Sequence, residues 1–336
     1  MENIIIIVTM LLAFGFTALS GIWLLPILRK LKFGQTILDI GPKWHKNKQG
    51  TPTMGGIMFL GIAVAIIAGF TTYKLSGNTN ILGNEKIMNA RLIYGLILAI
   101  GFGLIGFVDD YIKVVKKQNE GLTPKQKLVL QLIIGAFYLI MLYMSGDRWT
   151  TVVFPFIGQV DFGFGYYILA MFAILALSNA INFTDGIDGL LSSVTFVVGI
   201  AFMVISAMLG IFQMQIMSSA LIGGCIGFLV WNFHPAKVFM GDTGSLFLSG
   251  IVIALTFGTG LPLFILLIGV IYLIEMLSVV IQMTYFKLTH GKRLFKMTPI
   301  HHSFEMSGYS ENKIVMLFSL ITAIGSVLAI VAVKFI

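Results

Sequence analysis

Long, unbroken apolar runs are the feature of this sequence that most limits what it can fold into. Ten such runs can be marked, at residues 4–28, 53–73, 92–110, 127–145, 165–183, 190–209, 214–232, 245–260, 262–286 and 312–334. A helix needs about 20 apolar residues to cross a bilayer, whereas a membrane barrel would show short alternating segments. The runs therefore predict an all-α, polytopic integral membrane helix bundle with ten transmembrane helices.

Composition narrows the class further. The chain is 57% hydrophobic and 11% charged, against about 25% charged residues in a soluble domain, so a soluble enzyme is excluded. No linker or low-complexity tract divides the chain, so residues 1–336 are expected to form one domain. The net charge of +8 suits loops that meet anionic lipid or anionic substrates. Nucleic-acid binding is not expected, because no polar basic domain exists to carry it.

The distribution of basic residues predicts the orientation of the chain. If the loops after the odd-numbered runs face the cytoplasm, these five loops carry 17 of the 22 Lys and Arg residues, as the positive-inside rule requires. Both termini then lie on the outer face. All five histidines and nine of the fourteen acidic residues fall on the cytoplasmic side. The sequence therefore predicts a cytoplasmic active-site cleft.

Acidic residues at this face point to metal-assisted phosphate chemistry. Asp109 and Asp110 close the third run, and Lys113 shares their helix face; a solvated helix end is the alternative. Asp242 lies between a glycine and a run of small polar residues, which suits Mg²⁺ held by one or two carboxylates and substrate phosphates. Phe239, three residues upstream, can stack on a base, although a lone aromatic residue is commonly a packing residue.

A second acidic stretch joins the fifth and sixth runs. Asn179, Asn182, Asp185 and Asp188 recur every three residues, so they line one helical face if the helix continues through them. Polar groups near the bilayer edge usually face a bundle interior or a wet cavity. Hydrogen bonding between helices is the alternative interpretation.

Two further segments carry groups suited to phosphate. Thr298-Pro299 resembles an N-cap followed by the first residue of a helix, which would place His301 and His302 at a helix N-terminus for phosphate contact or proton transfer; zinc binding and a structural role are the alternatives. In the segment 45–56, lysines, hydroxyls and the N–H groups of Gly50, Gly55 and Gly56 can together wrap phosphate oxygens. Membrane anchoring with a glycine packing face is the alternative for that segment.

Five motifs, in the same order along the chain, resemble those of a known enzyme family. They are GTPTMGG at 50–56, the pair Asp109-Asp110, NFTDGIDG at 182–189, FMGDTGS at 239–245 and PIHHSFE at 299–305. The chain resembles the phospho-N-acetylmuramoyl-pentapeptide transferases (the MraY family), within the superfamily of polyprenyl-phosphate N-acetylhexosamine-1-phosphate transferases. The first and last motifs favour this family over its sister families.

The resemblance implies a reaction and its partners. Undecaprenyl phosphate and UDP-N-acetylmuramoyl-pentapeptide would give lipid I and UMP with Mg²⁺, at the plasma membrane of a bacterium, as the first membrane step of peptidoglycan synthesis. Membrane lipid surrounds such an enzyme, and a homodimer stays an open alternative. Direct attack by the lipid phosphate is favoured over a covalent intermediate on an aspartate. An apolar groove for the polyprenyl chain is expected around the ninth run, which also carries Glu275 and Gln282 on one helix face.

The resemblance also implies roles for individual residues. The implied catalytic residues are Asp109, Asp110, Asp242, His301 and His302, with Asp242 as the Mg²⁺ ligand and Asp109 as the base. The implied substrate-binding or supporting residues are Lys48, Thr53, Lys113, Lys117, Lys125, Asn182, Asp185, Asp188, Asn232, Phe239 and Gln282.

One residue departs from the family pattern, and two rival functions remain. Ser303 stands where the family has the third of three consecutive histidines, so that third histidine is not expected to be indispensable.

A sister transferase that uses UDP-N-acetylglucosamine shares the acidic motifs. A secondary transporter of an anionic solute is the rival from another class. Against it, ionisable groups cluster at one face rather than at the midplane, and no inverted repeat is evident.

Overall fold

The computed structural model of the protein describes residues 1–30, 48–77, 85–116, 120–154 and 157–335. Within these ranges ten helices are long and apolar enough to cross a membrane. In chain order the helices are α1 (Glu2–Lys30), α2 (Leu60–Leu75), α3 (Glu85–Val115), α4 (Pro124–Met144), α5 (Gly165–Phe183), α6 (Leu190–Met208), α7 (Phe212–Asn232), α8 (Gly241–Gly258), α9 (Ile265–Ile268), α10 (Val270–Leu288), α11 (Ile300–Glu305) and α12 (Glu311–Ala332). All but the short α9 and α11 are candidate spans, so the predicted ten-helix membrane bundle is confirmed.

Two elements differ from the predicted runs. The ninth run is interrupted: a 3₁₀ turn at Pro262–Phe264 leads into α9, and Gly269 separates α9 from α10. The loop before α5 also contains an antiparallel hairpin, in which β1 (Thr151–Phe154) pairs with β2 (Gly158–Asp161). Hydropathy detects neither feature, because an average over a window contains no information on helix breaks or on strand pairing.

Helix α8 lies at the centre of the bundle and packs most extensively against α3. Every residue from Thr243 to Gly258 is buried. The two backbones meet at Gly106, where an added methyl group would lie 2.0 Å from the carbonyl oxygen of Asp242. Small residues allow this close approach, which is how membrane helices gain packing energy without a hydrophobic driving force. As a result, the end of α3 that carries Asp109 and Asp110 is fixed beside the first turn of α8.

At the opposite end of the bundle, a buried ion pair joins three elements. Arg91 Nε and Nη2 donate to the two carboxylate oxygens of Asp147 at 2.6 and 3.0 Å, and Nη1 donates to the carbonyl oxygen of Gly258 at 3.0 Å. Both side chains are less than 10% exposed. The pair therefore connects α3, the loop after α4 and the last residue of α8.

We expect Asp147→Asn to destabilise the protein by about 3 kcal/mol, because it leaves the buried guanidinium without its counter-charge. Thermal unfolding in detergent would report this as a lower Tm. Glu85→Gln is the matched control: it breaks the more exposed pair between Glu85 and Lys74, which is worth about 0–1 kcal/mol. Equal Tm values for the two variants would contradict the structural role of the buried pair.

Candidate active site

Three carboxylates meet where α3 ends and α8 begins, and we call them the acidic centre: Asp109, Asp110 and Asp242. One oxygen of each lies within 4.8 Å of the others. Asp109 and Asp110 are buried, whereas the Asp242 side chain is 19% exposed. Asp242 is therefore the member of the acidic centre that a ligand in solution can reach.

Asp110 acts on the backbone of α8. Its carboxylate accepts hydrogen bonds from the backbone N–H of Asp242 at 3.2 Å and of Thr243 at 2.9 Å, and from Thr243 Oγ1 at 2.7 Å. The first N–H groups of a helix have no partner within the helix, and they attract negative charge. Asp110 thus positions the turn that carries Asp242, and its oxygens are already engaged.

Two lysines lie among the three carboxylates. Lys113 Nζ is 2.6 Å from Asp109 and 3.4 Å from Asp242. Lys127 Nζ is 3.1 Å from Asp109 and also contacts Asp242. The acidic centre therefore holds three carboxylates against two ammonium groups, an excess of one negative charge in a largely buried place. Such an arrangement favours the binding of a cation.

Lys127 has no assigned role in the sequence-based prediction, which named Lys125 and Lys117 instead. Lys125 is exposed on the first turn of α4, and Lys117 lies outside the described residues. Helix α4 opens with a capping box between Thr123 and Gln126. One turn after Lys127, the buried Gln131 is bonded to residues of α5. Polar residues four apart on an apolar helix are the sequence signal that could have found Lys127.

The three-residue polar repeat would line one face only if the helix continued through it, and the helix does not continue. Helix α5 ends at Phe183, so Asp185 and Asp188 lie in the turn at 184–189. Asn182, in the last turn, donates to Asp242 Oδ1 at 3.1 Å and to Ser245 Oγ at 2.7 Å. Asn182 thus belongs to the acidic centre, whereas Asp188 has different partners.

Asp185 lies between the acidic centre and Asp188. Its carboxyl group is half-buried. Burial, together with the negative charges of Asp242, Asp110 and Asp188, raises its pKa to about 8. The protonated form of Asp185 is therefore favoured, unless a bound cation offsets the negative charge of the acidic centre.

Asp188 belongs to a second polar group, the Lys48 cluster, formed by Lys48, Asp188, His234 and Glu311. Lys48 Nζ lies 2.7 Å from a carboxylate oxygen of Asp188 and of Glu311. Asp188 Oδ2 is also bonded to His234 Nδ1 and to the backbone N–H of Ala236, each at 3.0 Å. Three of these side chains could hold a metal ion, but the Lys48 ammonium already supplies a cation between the two carboxylates. The acidic centre is therefore the better candidate for a divalent ion.

Gly55 and Gly56 of the 50–56 motif do not offer their N–H groups to phosphate, which corrects the prediction for these two glycines. Gly55 N–H donates to the carbonyl oxygen of Phe239 at 2.9 Å, and Gly56 N–H to that of Met240 at 2.8 Å. Thr53 is buried beside Gly241. Gly241 is the first residue of α8 and has a positive φ of 72°. The motif therefore fixes the loop that presents Phe239 and Asp242.

Asn232 and Gln282 also bond to backbone. Asn232 accepts from Gly189 N–H at 3.0 Å and donates to the Val238 carbonyl oxygen at 2.9 Å. Gln282 Oε1 accepts from the N–H groups of Leu294 and Phe295, each at 3.0 Å. Both residues hold the backbone of neighbouring loops, so their described contacts are supporting ones.

The two histidines lie on α11, which begins at Ile300 after Pro299, one residue later than predicted. His301 is fully buried and its Nδ1 is bonded to Glu275 Oε1 at 3.0 Å, while His302 Nδ1 is bonded to Glu305 Oε2 at 2.7 Å. Neither histidine is bonded to the acidic centre in the part of the chain that the structure describes.

Ser303, the residue that departs from the family pattern, closes the loop that precedes α11. Its hydroxyl group donates to the Met297 carbonyl oxygen at 2.6 Å and accepts from the Met297 N–H at 3.1 Å. Position 303 is therefore tied to the backbone of the loop before α11.

The bundle and its buried acid–lysine centre define a multi-pass membrane protein with a polar site at one end. Comparisons with known sequences show which class of protein it is. The profile of "Glycosyl transferase family 4" matches residues 92–260, and the "Phospho-N-acetylmuramoyl-pentapeptide-transferase signature 1" matches residues 48–60. The chain is thus a membrane-embedded transferase of glycosyl transferase family 4.

Comparison with individual relatives shows the particular family to which the chain belongs. Proteins named phospho-N-acetylmuramoyl-pentapeptide-transferase are similar over nearly the whole chain. One from Halalkalibacterium halodurans is 41% identical over 97% of this chain and 97% of its own length. One from Acetivibrio thermocellus is 42% identical over 96% and 94%, and one from Bacillus velezensis is 44% identical over 94% and 93%. The chain belongs to the family of phospho-N-acetylmuramoyl-pentapeptide-transferases.

Proposed function

We propose that this protein transfers phospho-N-acetylmuramoyl-pentapeptide from its UDP-activated form to undecaprenyl phosphate, which gives lipid I and UMP. The observation that carries the proposal is the acidic centre with its two lysines, placed at one end of a lipid-soluble bundle. Both substrates bring negatively charged phosphate, and one is anchored in lipid. A site that joins them needs cationic groups near the ends of the spans, and Lys113 lies in the last turn of α3 and Lys127 in the first turn of α4.

The proposed route is direct attack. An oxygen of the lipid phosphate forms a bond to the β-phosphorus of the UDP-sugar, while the bond from that phosphorus to the bridging oxygen breaks and UMP leaves. A phosphate monoester has a second pKa of about 6, so near neutral pH the attacking group is already a dianion and needs no strong base. The larger barrier is repulsion between two anions, which the two ammonium groups reduce by neutralisation and alignment.

Asp109 supports this route by holding the lysines. Its two oxygens contact Lys113 at 2.6 Å and Lys127 at 3.1 Å, and one of them also accepts from the Leu122 N–H at 2.7 Å. A buried carboxylate engaged in this way is better placed to fix two cations than to remove a proton. We therefore assign Asp109 a positioning role and Asp110 the capping of α8.

Asp242 is the proposed Mg²⁺ ligand. Oxygen ligands, an excess of negative charge and partial exposure to solvent suit this ion. When bound, Mg²⁺ would supply Lewis-acid polarisation of the phosphoryl oxygens. Asn182 orients the Asp242 carboxylate by donating to it, and its amide is held in turn by its bond to Ser245 Oγ.

The remaining assignments complete the proposal. The site faces the cytoplasm of a bacterial cell, both termini lie outside, and residues 1–336 form one domain. Phe239 stacks on uracil from the loop before α8, where its ring is half-buried. The polyprenyl chain lies along the broken ninth span, where exposed apolar residues of α10 face lipid.

Release of UMP by the purified protein in detergent tests the function. We expect UMP when undecaprenyl phosphate and UDP-N-acetylmuramoyl-pentapeptide are supplied with Mg²⁺, and none when EDTA is present. UDP-N-acetylglucosamine is assayed in parallel, because UMP from that sugar alone would move the protein to a sister family. No UMP from either substrate, in protein that stays folded, would contradict the proposal.

A further inference from the structure

Gln131 is a buried polar residue in a part of α4 whose other residues are apolar or exposed. Within residues 124–134, all of which the structure describes, Gln131 alone is buried, at 1% exposure, while its neighbours Leu130 and Leu132 are exposed. Burying an amide in a membrane span is costly unless its polar atoms are bonded. The burial of Gln131 is therefore explained by its hydrogen-bond partners rather than by apolar packing.

Both polar atoms of the Gln131 side chain are bonded to α5. Nε2 donates to Ser178 Oγ at 3.0 Å, and Oε1 accepts from Asn179 Nδ2 at 3.2 Å. Asn179 Nδ2 also donates to the Leu175 carbonyl oxygen at 2.7 Å, so this amide is itself held by α5. Hydrogen bonds between polar side chains join helices within a membrane. We call Gln131, Ser178 and Asn179 the Gln131 cluster.

The Gln131 cluster lies one helical turn from the acidic centre on both helices. Residues four apart on a helix share one face, so Gln131 lies next to Lys127 on α4. By the same spacing, Ser178 lies next to Asn182 on α5. Lys127 contacts Asp242, and Asn182 donates to the same carboxylate at 3.1 Å. Helices α4 and α5 thus meet at the Gln131 cluster and again, one turn away, at the carboxylate of Asp242.

The segment that carries Lys127 is attached to the bundle on both sides. Before α4, the Leu122 N–H donates to Asp109 Oδ1 at 2.7 Å, and after Lys127 the attachment is Gln131. Helix α5 is fixed to α8 by the bonds of Asn182 described above, so it offers a rigid partner. We infer that Gln131 is a positioning residue of the transferase, which holds α4 against α5 so that the Lys127 ammonium group reaches the acidic centre. This inference rests on the proposed function.

The test is a double-mutant cycle on UMP release. Gln131→Met keeps the length of the side chain and removes both hydrogen bonds. We expect it to lower kcat about 10-fold, since misplacing a group by about 1 Å can cost up to about 10²-fold. Because Gln131 acts through Lys127, the double variant Lys127→Met/Gln131→Met should be no slower than Lys127→Met alone. Ser178→Ala removes one of the two bonds, so its loss should be smaller and likewise absent when Lys127 is replaced.

Leu139→Ala is the matched control for a purely structural effect on the same helix. Leu139 is buried two turns beyond Gln131, and its side chain has no polar atom. The cavity left by this substitution should lower the Tm while kcat stays at the wild-type value. Losses that multiply in the cycle of Gln131 and Lys127 would overturn the inference. So would a Gln131→Met variant that resembles Leu139→Ala, with a lower Tm and the wild-type kcat.

A stability readout makes the inference testable without turnover. When Lys127 no longer reaches the acidic centre, the excess negative charge there grows, so added Mg²⁺ should raise the Tm of Gln131→Met more than that of the wild type. Leu139→Ala should show the wild-type rise. A rise in Gln131→Met equal to that of Leu139→Ala, with a larger rise in Lys127→Met, would overturn the inference. Absence of wild-type turnover, with the expected order of Mg²⁺ responses, would instead count against the proposed reaction alone.

Discussion

Asp242→Asn is expected to reduce UMP release about 10³-fold or more while the protein stays folded. A metal ligand at the reacting phosphoryl group supplies several kcal/mol of transition-state stabilisation, and each ~1.4 kcal/mol changes the rate about tenfold. Asparagine has nearly the same volume as aspartate, so the packing of α8 against Gly106 is preserved. The measurement is kcat for UMP release over a range of Mg²⁺ concentrations.

Stability separates this effect from unfolding. The acidic centre has three carboxylates and two lysines, so removing one negative charge balances it. We therefore expect the Tm of Asp242→Asn without Mg²⁺ to equal or exceed that of the wild type. Asp161→Asn, an exposed acid of strand β2, is the control and should leave kcat unchanged. A phospho-sugar adduct trapped on Asp242 in the wild type would overturn direct attack.

The spans could be predicted from the sequence because each depends on local composition. A run of about 20 apolar residues favours a membrane helix wherever it occurs, so all ten predicted runs have a helix. The break before α10 and the β1–β2 hairpin depend on how neighbouring segments pack, and a hydropathy average contains no such information. The orientation of the termini stays a prediction.

For the candidate site, the sequence supplies residue types but not partners. Gly55 and Gly56 look suited to phosphate, yet their N–H groups are used by the Phe239-Met240 backbone. Asp185 and Asp188 look equivalent in spacing, but a helix that ends at Phe183 sends them to different neighbours. Such pairings arise from contacts between distant segments, as Glu311 with Asp188 illustrates.

Lys127→Met carries the second large expected effect, a fall in kcat of about 10²-fold. Methionine keeps the apolar stem but removes a cation that contacts both Asp109 and Asp242, and loss of one preorganised electrostatic group costs about 10²–10³-fold. The matched variant is Lys125→Met, two residues away on the same helix, where the side chain is exposed. We expect it to change kcat only a few-fold. Equal losses would favour the assignment made from sequence.

Removing Lys127 should also change how the protein responds to a divalent ion. Three carboxylates would then face Lys113 alone, which raises the excess negative charge at the acidic centre from one to two. The folded protein is then less stable without Mg²⁺, and added Mg²⁺ should raise the Tm of Lys127→Met more than that of the wild type. An equal rise in Tm would mean that the ion binds away from these carboxylates. A larger rise together with a low kcat would show that Lys127 is not needed to bind the ion but is needed to align the two phosphates.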